Sequence, residues 1–220
     1  LFVPTVTGVN NLKNEGIIGD KVQLVGDVMY DGALLYGKKA QAKSDVLARL
    51  NLSPKNYILA TIHRAENTDI EARIKAIFNG LIKISQSIPV ILPLHPRTAK
   101  MLKTYDLFEE VNRNLRLIEP VGYLDMVMLE KNAKLIVTDS GGVQKEAFFY
   151  QVPCVTLRDE TEWIELVQLG WNRLVSPFDE KVVSEEIIKT FSIQNNLSNS
   201  FEIYGGGTAS VKIVESLLRL

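Results

Sequence analysis

The sequence predicts an α/β fold, a doubly wound and mostly parallel sheet covered by helices on both faces. Three observations carry this. Short β-branched runs alternate with longer helix-like segments almost from end to end. Several of those runs are continuously apolar, the pattern of strands buried on both faces. Clusters of polar and charged residues follow the runs at their carboxyl ends, where such sheets bind ligands.

Taken in order, residues 1–50 read as a connecting arm packed on the domain. The arm holds a helix over Gly8–Gly16, a strand over Val22–Val25 and a long helix over Val28–Asn51. Leu52-Ser53-Pro54 ends that helix, because a residue before proline is pushed out of the α region. Residues 51–220 then form one domain. Its strands are expected at Tyr57–Ile62, Pro89–Leu94, Leu115–Ile118, Lys134–Thr138, Pro153–Leu157 and Arg173–Val175. Its helices are expected at Ile70–Ser87, Thr98–Tyr105, Leu124–Asn132, Val143–Tyr150, Thr161–Leu169, Lys181–Phe191 and, as a tail, Ala209–Leu218. In the first of these, Ile70, Ile74, Ile77, Phe78, Leu81 and Ile84 make one apolar stripe at helical spacing, which is core. Asn195–Ser200 is a polar stretch ahead of Tyr204-Gly205-Gly206-Gly207-Thr208.

Composition narrows the function. The chain has 220 residues, 46% hydrophobic and 23% charged, ample for a real core. Its 25 Lys and Arg against 26 Asp and Glu show no basic excess, which disfavours nucleic acid. Apolar stretches such as Ile88–Leu94 are too short for a bilayer, and no signal peptide precedes the first strand-like residues, so a cytoplasmic setting is expected. The chain opens on Leu1-Phe2-Val3-Pro4 as if mid-fold, which suggests a fragment or processed chain. The single cysteine, Cys154, lies in Val152-Pro153-Cys154-Val155 and reads as a buried small hydrophobe. One Cys and two His support no all-protein zinc site, so no metal is expected.

The strongest motif is Lys134-Leu135-Ile136-Val137-Thr138-Asp139-Ser140-Gly141-Gly142-Val143-Gln144-Lys145-Glu146, a strand entering a tight turn and a helix. Ser140, Gly141 and Gly142 would cradle a diphosphate, since glycines admit close backbone approach and a new helix offers unpaired N–H groups. An ordinary turn with Ser140 as N-cap fits the same pattern. Glu146, one turn on, carries a carboxylate suited to a ribose diol, or simply complements the helix dipole. A second motif is Ala60-Thr61-Ile62-His63-Arg64-Ala65-Glu66-Asn67. His63 suits acid–base or anion chemistry, and Arg64 offers a fork for phosphate. The third, Leu92-Pro93-Leu94-His95-Pro96-Arg97, puts His95 at the end of a neighbouring strand. In the fourth, Leu157-Arg158-Asp159-Glu160-Thr161-Glu162-Trp163, Arg158 faces the same crevice, while Asp159 and Glu160 read as a solvated helix start.

In order and spacing these segments resemble the C-terminal half of the non-hydrolysing UDP-N-acetylglucosamine 2-epimerases. The resemblance rests also on Val25-Gly26-Asp27, Val152-Pro153, Gly170-Trp171-Asn172 and Tyr204-Gly205, and it covers nearly the whole chain. It implies two Rossmann-like domains in a GT-B arrangement, of which this chain is the UDP-binding half. It implies that Ser140, Gly141 and Gly142 hold the diphosphate and Glu146 the ribose. His63 would assist departure of UDP, with Arg64 and His95 nearby and Met126 where many members place an aromatic against the uracil. Arg158 and Glu66 are secondary candidates. The implied reaction eliminates UDP from UDP-N-acetylglucosamine and re-adds it with inversion at C2, without a metal or redox cofactor. The base for the C2 proton would come from an N-terminal catalytic domain, and the intact protein would be a homodimer. Trp163-Ile164 stands where many members have Arg-Pro, and related epimerases of other UDP-amino sugars also have a Trp there. A GT-B glycosyltransferase domain is the alternative, against which the His63–Asn67 block argues, and a non-catalytic nucleotide-sugar sensor is a third.

Overall fold

The computed structural model describes residues 1–193 and 201–219. Its centre is a six-stranded parallel sheet built from β3 (Ile58–Thr61), β4 (Val90–Pro93), β5 (Arg116–Ile118), β6 (Leu135–Thr138), β7 (Cys154–Thr156) and β8 (Asn172–Leu174). The order is β5-β4-β3-β6-β7-β8, so the chain winds outward from β3 and then crosses to β6. That reversal leaves a crevice beyond the carboxyl ends of β3 and β6. The two strands run in register from Ile58 opposite Leu135 to Thr61 opposite Thr138. The doubly wound, Rossmann-like sheet expected from the sequence is the one observed.

Both faces of the sheet are covered, which explains the unbroken apolar runs. Ile58 and Ala60 of β3, and Ile62 just past its end, point into one core with Ile74, Phe78 and Leu81 of α5 (Glu71–Ser85) and Val183 of α11 (Glu180–Ile193). Tyr57 and Leu59 point into the other, with Leu129 of α8 (Tyr123–Asn132) and Ala147 of α9 (Gly141–Phe149). Of the predicted α5 stripe, Ile74 through Ile84 are buried, whereas Ile70 is the N-cap and stays exposed. Gly80 lets α11 approach closely, for a Cβ there would lie 2.7 Å from Val183 Cγ1.

The arm differs from its expectation in detail. Phe2–Val3 forms a strand, β1, that the sequence did not reveal, and it pairs in parallel with β2 (Gln23–Leu24) in a separate two-stranded sheet. The expected helix over Val28–Asn51 is two helices, α2 (Val28–Lys43) and α3 (Val46–Arg49). The break has a clear cause. Ser44 is extended, its hydroxyl accepts from Val46 N at 3.3 Å and donates to Asp125 on α8 at 2.5 Å, so a side chain replaces the helix ladder. Val46 is fully buried in the second core, which ties the end of the arm to the domain. Helix α1 (Val6–Asn14) starts earlier than expected because Thr5 caps it, accepting from Gly8 N.

Further along, α4 (Ala65–Thr68) is a single turn and α7 (Phe108–Asn114) buries Val111; the sequence reading contained neither. Helix α6 (Pro96–Thr104) starts at Pro96, and α10 (Ile164–Gln168) is shorter than Thr161–Leu169. The tail helix α12 (Ala209–Leu218) falls where expected. A third core cluster joins arm, domain and tail through Ala33, Phe148, Phe149, Trp171 and Tyr204, with the Phe149 and Tyr204 rings edge to face at 5.4 Å. The polar stretch Asn195–Ser200 lies outside the described residues. Among the described residues no helix is long and apolar enough to cross a membrane.

Candidate functional site

The switch point is built by hydrogen bonds between the β3 and β6 loops. Thr61 and Thr138 hydroxyls meet at 2.6 Å, and Asp139 N donates to Thr61 O at 3.2 Å. Asp139 is fully buried. Its carboxylate accepts from His63 N at 3.1 Å, Arg64 N at 2.9 Å and Asn67 Nδ2 at 3.1 Å. In the sequence Asp139 stands only as part of the turn. A short acid following a strand resembles any turn residue until the facing loop is known.

Ser140 occupies the N-cap position of α9, yet its hydroxyl caps nothing. Its backbone N–H donates instead to Thr138 Oγ1 at 2.9 Å. The capping alternative is therefore corrected: the turn is fixed from the strand side. The first N–H with an intrahelical carbonyl is that of Gln144, to Ser140 O at 3.2 Å, so Gly141, Gly142 and Val143 precede it with theirs open. Both glycines have room in front of them. A Cβ on Gly141 would lie 3.6 Å from Arg64 Nη2, 3.7 Å from Trp163 Nε1 and 3.8 Å from Glu162 Oε2. Arg64 is thus at the turn, as the sequence placed it. Trp163 is held there by its indole N–H, which donates to Gly141 O at 2.9 Å, with Lys145 Nζ 4.1 Å from its ring centroid. Lys145 is itself buried in an ion pair with Asp27 at 2.7 Å.

Next to the turn, His63, His95 and Met126 line a cavity of about 220 Å³ with Pro120, Val121 and Val143. The two imidazoles lie 5.6 Å apart, centre to centre. His95 is the N-cap of α6, its Nδ1 accepting from Arg97 N at 3.1 Å, with Pro96 pre-set at the first helical position. The loop residues His63, Arg64 and His95 and the α8 residue Met126 are all brought to one end of the sheet.

Glu146 is half-buried beside α8, where Tyr123 Oη donates to it at 3.2 Å. Burial raises its carboxyl above the usual range, while the Tyr123 bond and the Lys145 charge pull it back. The Tyr123 phenol is pushed up to about 12, by burial first and then by Glu146. Behind it Glu130 is fully buried and neither carboxylate oxygen has a hydrogen-bond partner. Burial, then the field of Glu146, holds Glu130 well above the normal carboxylate range. Nothing in the sequence marked Glu130, since a glutamate at that spacing on a helix is usually solvated.

Arg158 and Glu66 meet each other rather than standing open. Arg158 is buried and donates to Glu66 at 3.1 Å and to Glu162 at 2.8 Å. Asp159 is exposed, as expected of a solvated acid, but it lies well ahead of α10 rather than at its start, and it accepts from Arg73 at 2.7 Å and Ser176 at 2.5 Å. Arg73 continues to Asn67 Oδ1 at 3.0 Å, closing a polar chain back to Asp139. Cys154 is buried, and burial pushes its thiol up to about 12, as suits a small hydrophobe. Among the described residues no group of three or more His, Cys, Asp or Glu is placed to hold a metal ion.

A doubly wound sheet whose switch point carries an uncapped glycine turn, flanked by an arginine and a histidine, defines a Rossmann-like α/β domain with a crevice ready for an anion. A family model described as UDP-N-acetylglucosamine 2-epimerase matches residues 1–218. The chain belongs to that family. A UDP-N-acetylglucosamine 2-epimerase homolog of Methanococcus maripaludis is 52% identical over 100% of this chain and 60% of its own. The UDP-2,3-diacetamido-2,3-dideoxy-D-glucuronate 2-epimerase of Pseudomonas aeruginosa is 44% identical over the same shares. The crystal structure of Methanocaldococcus jannaschii UDP-GlcNAc 2-epimerase in complex with UDP-GlcNAc and UDP superposes with a TM-score of 0.89 at 41% identity, over 100% of this chain and 61% of that one. The fold is accordingly that of one Rossmann-like half of a GT-B architecture. The chain spans about 60% of the length of the curated relatives it matches.

Proposed function

We propose that this chain is the UDP-binding half of a UDP-sugar 2-epimerase that converts UDP-N-acetylglucosamine to UDP-N-acetylmannosamine by elimination and re-addition of UDP. The observation that carries the proposal is the uncapped start of α9 with Arg64 beside it and His63 in the wall of the adjoining cavity. The open N–H groups of Gly141 and Gly142 and the Ser140 hydroxyl bind the diphosphate, with Arg64 supplying positive charge. One turn on, Glu146 accepts from the ribose diol, displacing or sharing the Tyr123 hydroxyl. The cavity beside Met126 and His95 receives the base, a thioether packing on its face. His63 stabilises the charge that builds on UDP as the anomeric bond breaks. Arg158, clasped by Glu66 and Glu162, braces the wall of this site rather than binding phosphate itself.

Removing the C2 proton takes a base on the far side of the sugar, which the rest of the parent protein supplies as a second domain in a cytoplasmic homodimer. The exposed apolar residues Val211, Val214 and Leu217 along α12, with Leu24 and Val28 in the arm, fit such a neighbour. A second substrate reading has support of its own: the 44% identity to an epimerase of a diacetamido uronic sugar, together with Trp163 at the phosphate turn. The deciding experiment incubates the full-length protein with each UDP-sugar in deuterated water. Deuterium entering C2 with inversion identifies the epimerase and its sugar; no exchange with either overturns the reading.

A further inference from the structure

We infer that Asp139 is a positioning residue for His63: its buried carboxylate selects the tautomer and orientation of the imidazole that faces UDP. The kinetic part of this rests on the epimerase reading; the structural part does not.

Every hydrogen-bond partner of the Asp139 carboxylate is an N–H donor, so both of its oxygens act as acceptors. Oδ2 takes Arg64 N at 2.9 Å and Asn67 Nδ2 at 3.1 Å, and His63 N lies 3.1 Å from both oxygens. The loop carrying His63 is therefore fastened through its backbone to this one carboxylate. The ring follows. His63 Nδ1 lies 3.6 Å from Asp139 Oδ1, longer than a hydrogen bond but close enough for the carboxylate's charge to act on that nitrogen. With Nδ1 toward the carboxylate, Nε2 sits on the opposite edge of a ring that lines the cavity beside the glycine turn.

The chemistry follows from the placement. A carboxylate beside Nδ1 favours a hydrogen on that nitrogen. In the neutral ring this selects the Nδ1–H tautomer. In the imidazolium, Nδ1–H is committed to Asp139 and Nε2–H is left for the departing phosphate oxygen. His95 provides the contrast within the same chain. Its Nδ1 accepts from Arg97 N at 3.1 Å, so its neutral ring carries hydrogen on Nε2. The two histidines are thus expected in opposite tautomers.

Asp139→Asn separates this role from a merely structural one. Its carbonyl oxygen satisfies most donors at the Oδ2 position, which leaves an NH₂ facing His63 Nδ1. The ring must then accept at Nδ1 and carry hydrogen on Nε2. The test labels histidine with ¹⁵N in the full-length protein and reads tautomers by two-bond correlation where both rings are neutral. The wild type is expected to show His63 as Nδ1–H and His95 as Nε2–H, with only His63 inverted in Asp139→Asn. In the same variant the imidazolium loses the carboxylate that stabilises it, so kcat for C2 exchange should fall about 10- to 10³-fold, while UDP affinity changes by less than about threefold. Finding both wild-type histidines in one tautomer overturns the inference, and this needs no variant to fold. So does an Asp139→Asn protein that exchanges C2 at the wild-type rate. If the wild type exchanges nothing, the epimerase reading falls while the tautomers still decide the role of Asp139.

Discussion

Gly26 and Gly205 pass each other with no room for a side chain on either. A Cβ on Gly26 would lie 2.8 Å from Gly205 Cα, and one on Gly205 would lie 2.7 Å from Gly26 Cα. Both are in the left-handed region, at φ +94 and +81. The crossing joins arm to tail: Asp27 N donates to Tyr204 O at 3.0 Å. It also places Asp27, whose one oxygen caps α2 through Met29 N at 2.8 Å while the other meets Lys145 at 2.7 Å.

Gly26→Ala should therefore destabilise the protein. The conformation alone costs an L-residue about 1–3 kcal/mol, and the contact with backbone atoms adds to it. A urea titration of the full-length protein is expected to show a lower midpoint with an unchanged slope. An unchanged midpoint would mean that arm and tail do not cross this way in solution.

The Lys145–Asp27 pair should be costly to break from one side. Both side chains are buried, and each supplies the other's counter-charge. Lys145→Met leaves Asp27 without a cation and is expected to cost about 3–5 kcal/mol. Adding Asp27→Asn should restore part of that loss, since removing both charges ends the mismatch. A double-mutant cycle measured by denaturation would show the coupling. Additive losses would mean that the two side chains are solvated independently.

How much of this could be seen beforehand follows from range. The sheet was legible because strands buried on both faces leave continuous apolar runs, as in Leu135-Ile136-Val137. The residues at the ends of β3, β4 and β6 were legible because a strand delivers its following loop to a known place. What was illegible depends on partners far away in sequence. Gly26 and Gly205 each look like turn glycines until they meet. Asp139 becomes an organising carboxylate only once His63, Arg64 and Asn67 are folded against it. Ser44 breaks a helix-like run because Asp125 on α8 receives its hydroxyl.

Glu130 should make stability fall as pH rises. Its folded pKa lies above its unfolded one, through burial and then Glu146. Between those two values the native state keeps a proton that the unfolded chain has released. Stability from this group is thus fully present below the unfolded value and declines toward the folded one, by roughly 1.4 kcal/mol for each pH unit crossed. Glu130→Gln removes the slope. The variant-minus-wild-type stability difference, measured in urea from pH 4 to 8, is expected to move in the variant's favour as pH rises. A flat difference would show that Glu130 reaches solvent or a partner.

Glu146→Ala tests the ribose contact. Two charge-assisted bonds to a diol, each worth roughly 1.5–3 kcal/mol, imply at least about a tenfold loss of UDP affinity by calorimetry. An analogue of UDP without its ribose hydroxyls should bind both proteins alike. Because Glu146 is half-buried and hydrogen-bonded to Tyr123, Glu146→Gln is the companion variant: it keeps shape while removing charge. Unchanged affinity in both would leave Glu146 with only its place beside Tyr123 and the helix dipole.

His63→Asn addresses the chemistry itself. His63 leaves β3 directly, its backbone N–H is held by Asp139, and its ring lines the cavity beside the open start of α9. As the anomeric bond breaks, negative charge grows on the departing UDP, and an imidazole N–H at that point lowers the barrier more than it favours the ground state. Positioned acid–base groups contribute about 10²–10⁴-fold in rate. Asparagine keeps a donor of similar size, and the backbone bond to Asp139 survives the change. UDP affinity should therefore move far less than turnover, read together as calorimetry and C2 exchange in the full-length protein. Equal losses in both would make His63 a ground-state phosphate ligand. A shifted urea midpoint would instead place its weight in the fold, where its ring packs against His95 at 5.6 Å.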